Sequence, residues 1–176
     1  PHTPQGQMCL DGTLWVENGT PYMIYCHEWV EVMDGEMCMV ELKKDLSEPV
    51  GQPVRLFCAS AAEWALKGKE DDPRKHTFVT DGCFLYRTSA GKLLMIWSSF
   101  SEGSYAIGIA ESATGKVAGP WRQQKDLLFA KNGGHGMLFK DSYQPTAQEQ
   151  ELETFAKKVL ASTEDVWTIE FQKLLQ

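Results

Sequence analysis

Hydrophobic and polar residues alternate in short runs over the first 140 residues, and Gly, Asn, Asp and Pro interrupt these runs. Short alternating runs bounded by turn residues predict β-strands rather than helices. The Asn18-Gly19 pair between the first two runs is typical of a tight hairpin turn. The predicted strands cover residues 13–16, 22–26, 37–42, 54–58, 84–87, 93–97, 105–110 and 127–129. The sequence therefore predicts a mainly β domain over residues 1–140.

The hydrophobic spacing changes after this region. Pro145, Thr146 and Glu149 form the start of a capping box, and apolar residues then recur on one helical face. Ser162 followed by Asp165 begins a second helix. We therefore expect a boundary between residues 140 and 144, followed by a helical pair over 145–176.

The strand region repeats itself with an offset of 70 residues. The five residues from Asp11 align with the five from Asp81, and a third unit begins at His135. Each full unit holds about four strands, as a propeller blade does, so we predict a partial β-propeller of two to three blades. Because the innermost strand of each blade lines the central channel, Asp11, Asp81 and His135 are expected to converge near the axis.

Such a channel offers chemistry suited to sugars. Paired carboxylates cleave glycosidic bonds, one as an acid and the other as a base or nucleophile. Aromatic side chains around the mouth pack against sugar rings, although tryptophan is also ordinary blade packing and Asp-Gly is commonly a turn. The candidate aromatic residues are Trp15, Trp29, Trp64, Trp97 and Phe100.

Charge and composition narrow the classes of partner. The 176 residues include 43% hydrophobic residues, enough for a core, and 17 Lys and Arg against 24 Asp and Glu give a net charge of −7. This balance argues against nucleic acid, whose binders concentrate positive charge on one face. The longest apolar run, over residues 93–97, is far shorter than the roughly 18 residues of a membrane helix. The sequence predicts neither a nucleic-acid nor a membrane partner.

The five cysteines include no pair at the Cys-x2-Cys spacing that zinc sites commonly use. We therefore expect buried thiols in strands, with a disulfide or metal role as the alternative. The chain opens on Pro1, and residues 1–8 have neither the basic nor the apolar region of a secretory signal. This start suggests a processed protein or a fragment, and it leaves both a cytoplasmic and an exported parent open.

Three segments resemble blade-opening segments of the family 43 glycoside hydrolases: residues 9–25, 79–87 and 133–139. The resemblance covers residues 1–140. It implies a five-bladed β-propeller that hydrolyses arabinosides, xylosides and related linkages of plant polysaccharides with inversion, so oligo- or polysaccharides would be the substrates.

The resemblance also implies roles for individual residues. Asp11 matches the aspartate that orients the general acid and tunes its pKa. Asp81 stands where the family has the general-acid glutamate of a Glu-Gly-Pro motif, here replaced by Asp-Gly-Cys. Because the aspartate is one methylene shorter, which moves the carboxyl by roughly 1.5 Å, Glu28 is an alternative acid. His135 matches the histidine near the axis that often contacts a calcium ion or its water shell.

The family's general base, an aspartate on the first blade, matches no residue of this chain. About two and a half blades are present where the family has five. We therefore expect a segment of such an enzyme that is inactive by itself. The alternative is a non-catalytic carbohydrate-binding or scaffold module that keeps the channel but lacks the acid and base.

The tail carries a second, weaker resemblance. Residues 151–167 are similar to the stretch ahead of the catalytic helix in bacterial neutral zinc metallopeptidases. Their His-Glu-x-x-His motif is missing, since His27-Glu28 is followed by Glu31 where the second histidine would stand. The sequence thus predicts no zinc protease site, and the alternative is an amphipathic helical pair covering an open blade edge.

Overall fold

A computed structural model describes residues 2–68, 75–102 and 104–138, and within them the chain forms two four-stranded antiparallel sheets. In each sheet the strands lie in chain order, as in a propeller blade. The first sheet holds β1 (Cys9–Glu17), β2 (Thr20–His27), β3 (Glu36–Leu42) and β4 (Pro49–Cys58). The second holds β5 (Asp81–Arg87), β6 (Leu93–Ser101), β7 (Ser104–Ser112) and β8 (Trp121–Gln123). The predicted mainly β fold with blade-like repeats is confirmed.

Helical structure among these residues is limited to one turn of helix, α1 (Trp29–Val32), and a 3-10 turn at Ala59–Ala61. The helical pair expected over residues 145–176 lies outside the described residues.

Seven of the eight predicted strands lie within observed strands, and the eighth is wrong. The last strand is Trp121–Gln123, which pairs with the end of β7, whereas Phe129 makes only an isolated bridge to Ile107. The Trp121 side chain packs against the core and its indole N–H donates to the carbonyl of Val117 at 2.9 Å. These contacts of Trp121 hold residues 121–123, rather than the more hydrophobic stretch at 127–129, beside the end of β7.

The main core lies between the two sheets. Trp97 of β6 is completely buried, with its ring 5.4 Å from that of Phe57 and 4.8 Å from that of Trp64. Trp64 packs so closely over Gly108 of β7 that no side chain would fit there. The prediction that Trp97 and Trp64 lie at the mouth of the channel is wrong, because both side chains are buried. Both rings pack between the sheets because each sheet must bury one apolar face against its neighbour.

The opening strands of the two sheets share a bulge. In β1 one extra residue separates the pairs that Leu10 and Thr13 make with β2, and in β5 the same irregularity follows Asp81. The first bulge residue is Asp11 in one sheet and Gly82 in the other, with φ of 55° and 53°. Asp11 is therefore equivalent to Gly82, and the sequence alignment of Asp11 with Asp81 is wrong by one residue. Both strands contain an Asp-Gly pair, but this pair begins at the first bulge residue in β1 and one residue before it in β5.

Candidate active site

Three residues with left-handed backbone conformation lie together where the sheets meet: Asp11, Gly82 and His135, the last with a φ of 53°. The Gly82 N–H donates to Asp11 Oδ2 at 2.8 Å, and His135 Nδ1 lies 3.7 Å from the same oxygen. A Cβ on Gly82 would lie 2.6 Å from the Cα of His135. Glycine is required at this position, because it allows the histidine backbone to approach Asp11.

Asp81 lies one residue before this cluster and is held by a tyrosine. The Tyr105 hydroxyl donates to Asp81 Oδ2 at 2.9 Å. The Tyr105 ring packs against Phe100, with centroids 4.9 Å apart, and against the backbone of Gly134. Burial, followed by the negative charge of Asp81, raises the pKa of Tyr105. The Tyr105 hydroxyl therefore keeps its proton and donates it in a hydrogen bond to the Asp81 carboxyl oxygen.

The sequence analysis missed Tyr105. The available signal was the Gly133-Gly134 pair, since adjacent glycines ahead of His135 indicate a close backbone approach. The same segment is anchored where the His135 N–H donates to Ser98 Oγ at 2.8 Å.

Glu28 follows the end of β2 and precedes α1. Its backbone N–H donates to the carbonyl of Met8 at 2.8 Å, which fixes where the side chain begins. Burial raises the pKa of the Glu28 carboxyl, and the negative charges of Asp81 and then Asp11 raise it further. Asp81 and Asp11 therefore lie close enough to Glu28 for their charges to act on its carboxyl. A carboxyl with a raised pKa is suited to act as a general acid.

The predicted sugar-binding aromatic residues fall into different environments. Trp29, directly after Glu28, is partly exposed. Trp15 is half-buried against the core, and the Arg87 guanidinium lies 5.6 Å from its ring centroid. Phe100 supports Tyr105, as described above, and Trp97 has no exposed surface to offer a ligand. Trp29 is thus partly exposed and adjacent in sequence to Glu28, a candidate catalytic residue.

The predicted metal ligand His135 has a side chain that is 56% exposed beside Asp11. Calcium prefers six to eight oxygen ligands, while this pair offers one carboxylate and one ring nitrogen. These residues therefore fit a cation that keeps most of its water shell rather than one held in a cage of protein oxygens.

Similarity to solved structures adds to this geometry. An endo-arabinase from Bacteroides thetaiotaomicron superposes with a TM-score of 0.73 and 45% sequence identity, over 80% of this chain and 50% of that one. A thermostable family-43 glycoside hydrolase superposes with a TM-score of 0.61 and 22% identity, over 78% of this chain and 46% of that one. The two sheets have the fold of family-43 glycoside hydrolases.

The similarity has defined limits. The chain spans about half the length of these two structures. A further family-43 β-xylosidase/α-arabinofuranosidase, from a compost metagenome, superposes with a TM-score of 0.51 and 14% identity over 71% of this chain and 37% of that one, and its structure is a calcium-free form. No protein-family model and no curated protein matches the sequence.

In the part of the chain that the structure describes, no helix has the length and apolar character needed to cross a membrane.

Proposed function

We propose that these two blades belong to a glycosidase that hydrolyses arabinoside or xyloside linkages of plant polysaccharides with inversion at the anomeric carbon. The observation that carries the proposal is the cluster of Asp11, Asp81 and Glu28 on a family-43 fold. The 45% identity with an endo-arabinase favours arabinan among the substrates.

Within this cluster we assign proton donation to Glu28. Asp81 accepts the Tyr105 hydroxyl, an arrangement that suits a carboxylate, while burial and the charges of Asp81 and Asp11 raise the pKa of Glu28. In the reaction Glu28 gives this proton to the leaving glycosidic oxygen as the bond to the anomeric carbon breaks. Water attacks the opposite face of the sugar and loses its proton to a base carboxylate outside the residues matched here. Asp11 and Asp81 supply negative charges that raise the pKa of this acid.

The chain by itself is proposed to bind sugar without cleaving it. Trp29 offers a partly exposed ring beside Glu28, but no residue matches the family's base aspartate. This state coincides with the alternative of a non-catalytic carbohydrate-binding module. Activity of the full five-bladed protein separates the two, because a binding module would show none.

The test compares this chain with a version extended to the full propeller. We expect the extended protein to release arabinose or arabino-oligosaccharides from linear arabinan, or xylose from aryl xylosides, with the inverted anomer visible by proton NMR of fresh product. We expect this chain to show only a tryptophan fluorescence change. A folded, extended protein inactive on arabinan, aryl arabinofuranosides and aryl xylosides would refute the proposal.

A calcium ion near the axis, contacted through water by His135, belongs to the same proposal. A ligand that binds only the folded protein raises its melting temperature. We expect calcium to raise the melting temperature of the wild type and not of His135→Ala. An unchanged wild-type value at millimolar calcium would contradict this site.

A further inference from the structure

The face of the first sheet that points away from the second sheet carries an unusual set of side chains. Cys9, His27, Glu36 and Cys58 lie in one row, each paired with the next across β1, β2, β3 and β4. Cys38 lies two residues after Glu36 and therefore on the same face of β3. We call these five residues the thiol face. Cysteine, histidine and glutamate are residue types that bind metals, and Cys38 and Cys9 also pack in a small apolar cluster with Tyr25, Val40 and Leu42.

Three of these side chains lie within coordination reach of one another. His27 Nδ1 is 2.9 Å from Glu36 Oε2, and Cys38 Sγ is 3.9 Å from the same oxygen. All three ligand atoms lie within 4.8 Å of each other. A tetrahedral zinc ion with bonds of about 2.0–2.3 Å separates its ligand atoms by roughly 3.3–3.8 Å. The observed distances lie on either side of this range, so small side-chain movements would complete the geometry.

The outer partners of two of these ligands are already in place. The other ring nitrogen of His27, Nε2, lies 3.0 Å from Glu31 Oε2, which also accepts the Met8 N–H at 2.8 Å. The remaining oxygen of Glu36, Oε1, accepts from the Arg55 guanidinium at 2.9 Å. A metal-bound histidine typically donates its second N–H to a carboxylate, which orients the ring and sets its tautomer. The contacts of His27 and Glu36 reproduce this arrangement.

We propose that His27 Nδ1, Glu36 and Cys38 bind a thiophilic divalent cation of the zinc class, with water in the fourth position. Binding forms one metal–sulfur bond and releases to solvent the Cys38 thiol proton and the proton that joins His27 Nδ1 to Glu36 Oε2, with no change of oxidation state. Since His27 directly precedes Glu28, the metal would fix the end of β2 from which the candidate acid projects. The site is separate from the axial cluster and does not depend on the proposed function.

The equivalent face of the second sheet carries different residues. The residues paired at the equivalent positions are Ser99 with Ala106 and Trp97 with Gly108. They take the places of His27 with Glu36 and of Tyr25 with Cys38. There the face is filled by aromatic packing from the first sheet, and no ligand set is present at these positions.

The full chain, purified with chelator under reducing conditions, is tested by titration with zinc against a chromophoric chelator and by cobalt substitution. We expect one equivalent of tight zinc binding and the sulfur-to-cobalt charge-transfer absorption of a thiolate site. Cys38→Ser and His27→Gln should lose both signals. Cys83→Ser is the matched control and should keep them, because Cys83 lies in the core against the Asp11 and Ile24 carbonyls.

Glu31→Gln keeps the measurement interpretable if a buried variant fails to fold, because Glu31 is exposed on α1. Loss of a histidine's outer partner costs about 10- to 100-fold in metal affinity, so we expect a weakening of that size. Cys58→Ser should bind zinc as the wild type does. A wild type without stoichiometric zinc would show that His27 belongs only to a hydrogen-bond network with Glu31 and Glu36. Retention of the cobalt–thiolate absorption in Cys38→Ser would equally overturn the proposal.

Discussion

The two sheets have the same topology and the same bulge in their first strand, yet they use the bulge differently. In the first sheet the left-handed bulge residue is Asp11, which carries a carboxylate into the candidate site. In the second it is Gly82, whose missing side chain lets His135 approach. The same bulge therefore positions a functional side chain in the first sheet and leaves room for one in the second. Function in this fold depends on which residue occupies an equivalent backbone position.

The largest expected effect tests the core that joins the sheets. Trp97→Ala removes a fully buried ring from contact with Phe57 and Trp64, and such truncations cost about 3–5 kcal/mol. Trp29→Ala is the comparison, since its ring is partly exposed, and should change the free energy of unfolding by less than about 1 kcal/mol. Denaturant unfolding measures both. Equal losses would contradict the different environments of these two tryptophans.

The next effect tests the bulge itself. Gly82→Ala combines a left-handed backbone with a Cβ that collides with His135, and should destabilise by about 3 kcal/mol. Gly19→Ala is the matched control, because Gly19 also has a positive φ but nothing lies within 4 Å of its added Cβ. It should cost about 1 kcal/mol, the conformational term alone. If the two variants are equally stable, the close approach of His135 is not the constraint.

A smaller effect concerns the contact that distinguishes Asp81 from Asp11. Tyr105→Phe removes the hydroxyl donor to Asp81 and should lower the free energy of unfolding by about 1–2 kcal/mol. Asp11 instead accepts the backbone N–H of Gly82, so the carboxyl chemical shift of Asp11 should not change in this variant. Unfolding gives the first value, and carboxyl chemical shifts of both aspartates by NMR give the second. Disturbance of Asp11 alone would reverse the assignment.

The smallest effect is electrostatic. Because Asp81 and Asp11 raise the pKa of Glu28, Asp81→Asn and Asp11→Asn should each lower it, Asp81→Asn by more. A raised pKa in the folded state means that the stabilising contribution of Glu28 is present below its unfolded pKa and is lost as pH rises through its folded pKa. Each variant should therefore lose less stability as pH rises through this range. NMR titration of the Glu28 carboxyl measures the shift, and an unchanged pKa in both variants would place Glu28 outside the cluster.

The sequence was sufficient to predict the strands and the blade repeat, because alternation and turn residues are local signals. It could not fix the alignment of the two units, because the Asp-Gly pair that both units contain aligns Asp11 with Asp81, whereas the strand pairing makes Asp11 equivalent to Gly82. It predicted Trp97 at the channel mouth because aromatic rings pack against sugars, and the sequence does not show which rings are covered by the neighbouring sheet.

Other features depend on which strands pair with each other, and the sequence does not show this pairing. The contact between Tyr105 and Asp81 joins β7 to β5, and the row from Cys9 to Cys58 crosses four strands. No spacing along the chain marks either set. The family resemblance and the motif positions point separately to Asp11, Asp81 and Glu28, and the catalytic roles of these residues stay predictions.

The most direct test of the central claim is the dependence of Glu28→Gln on the leaving group, measured in the full propeller. An acid is needed for a sugar leaving group and far less for p-nitrophenolate. We predict that kcat/KM on linear arabinan falls by about 100-fold or more, with a much smaller loss on p-nitrophenyl arabinofuranoside. Equal losses on both substrates, or wild-type activity on arabinan, would contradict the assignment of Glu28 as the proton donor.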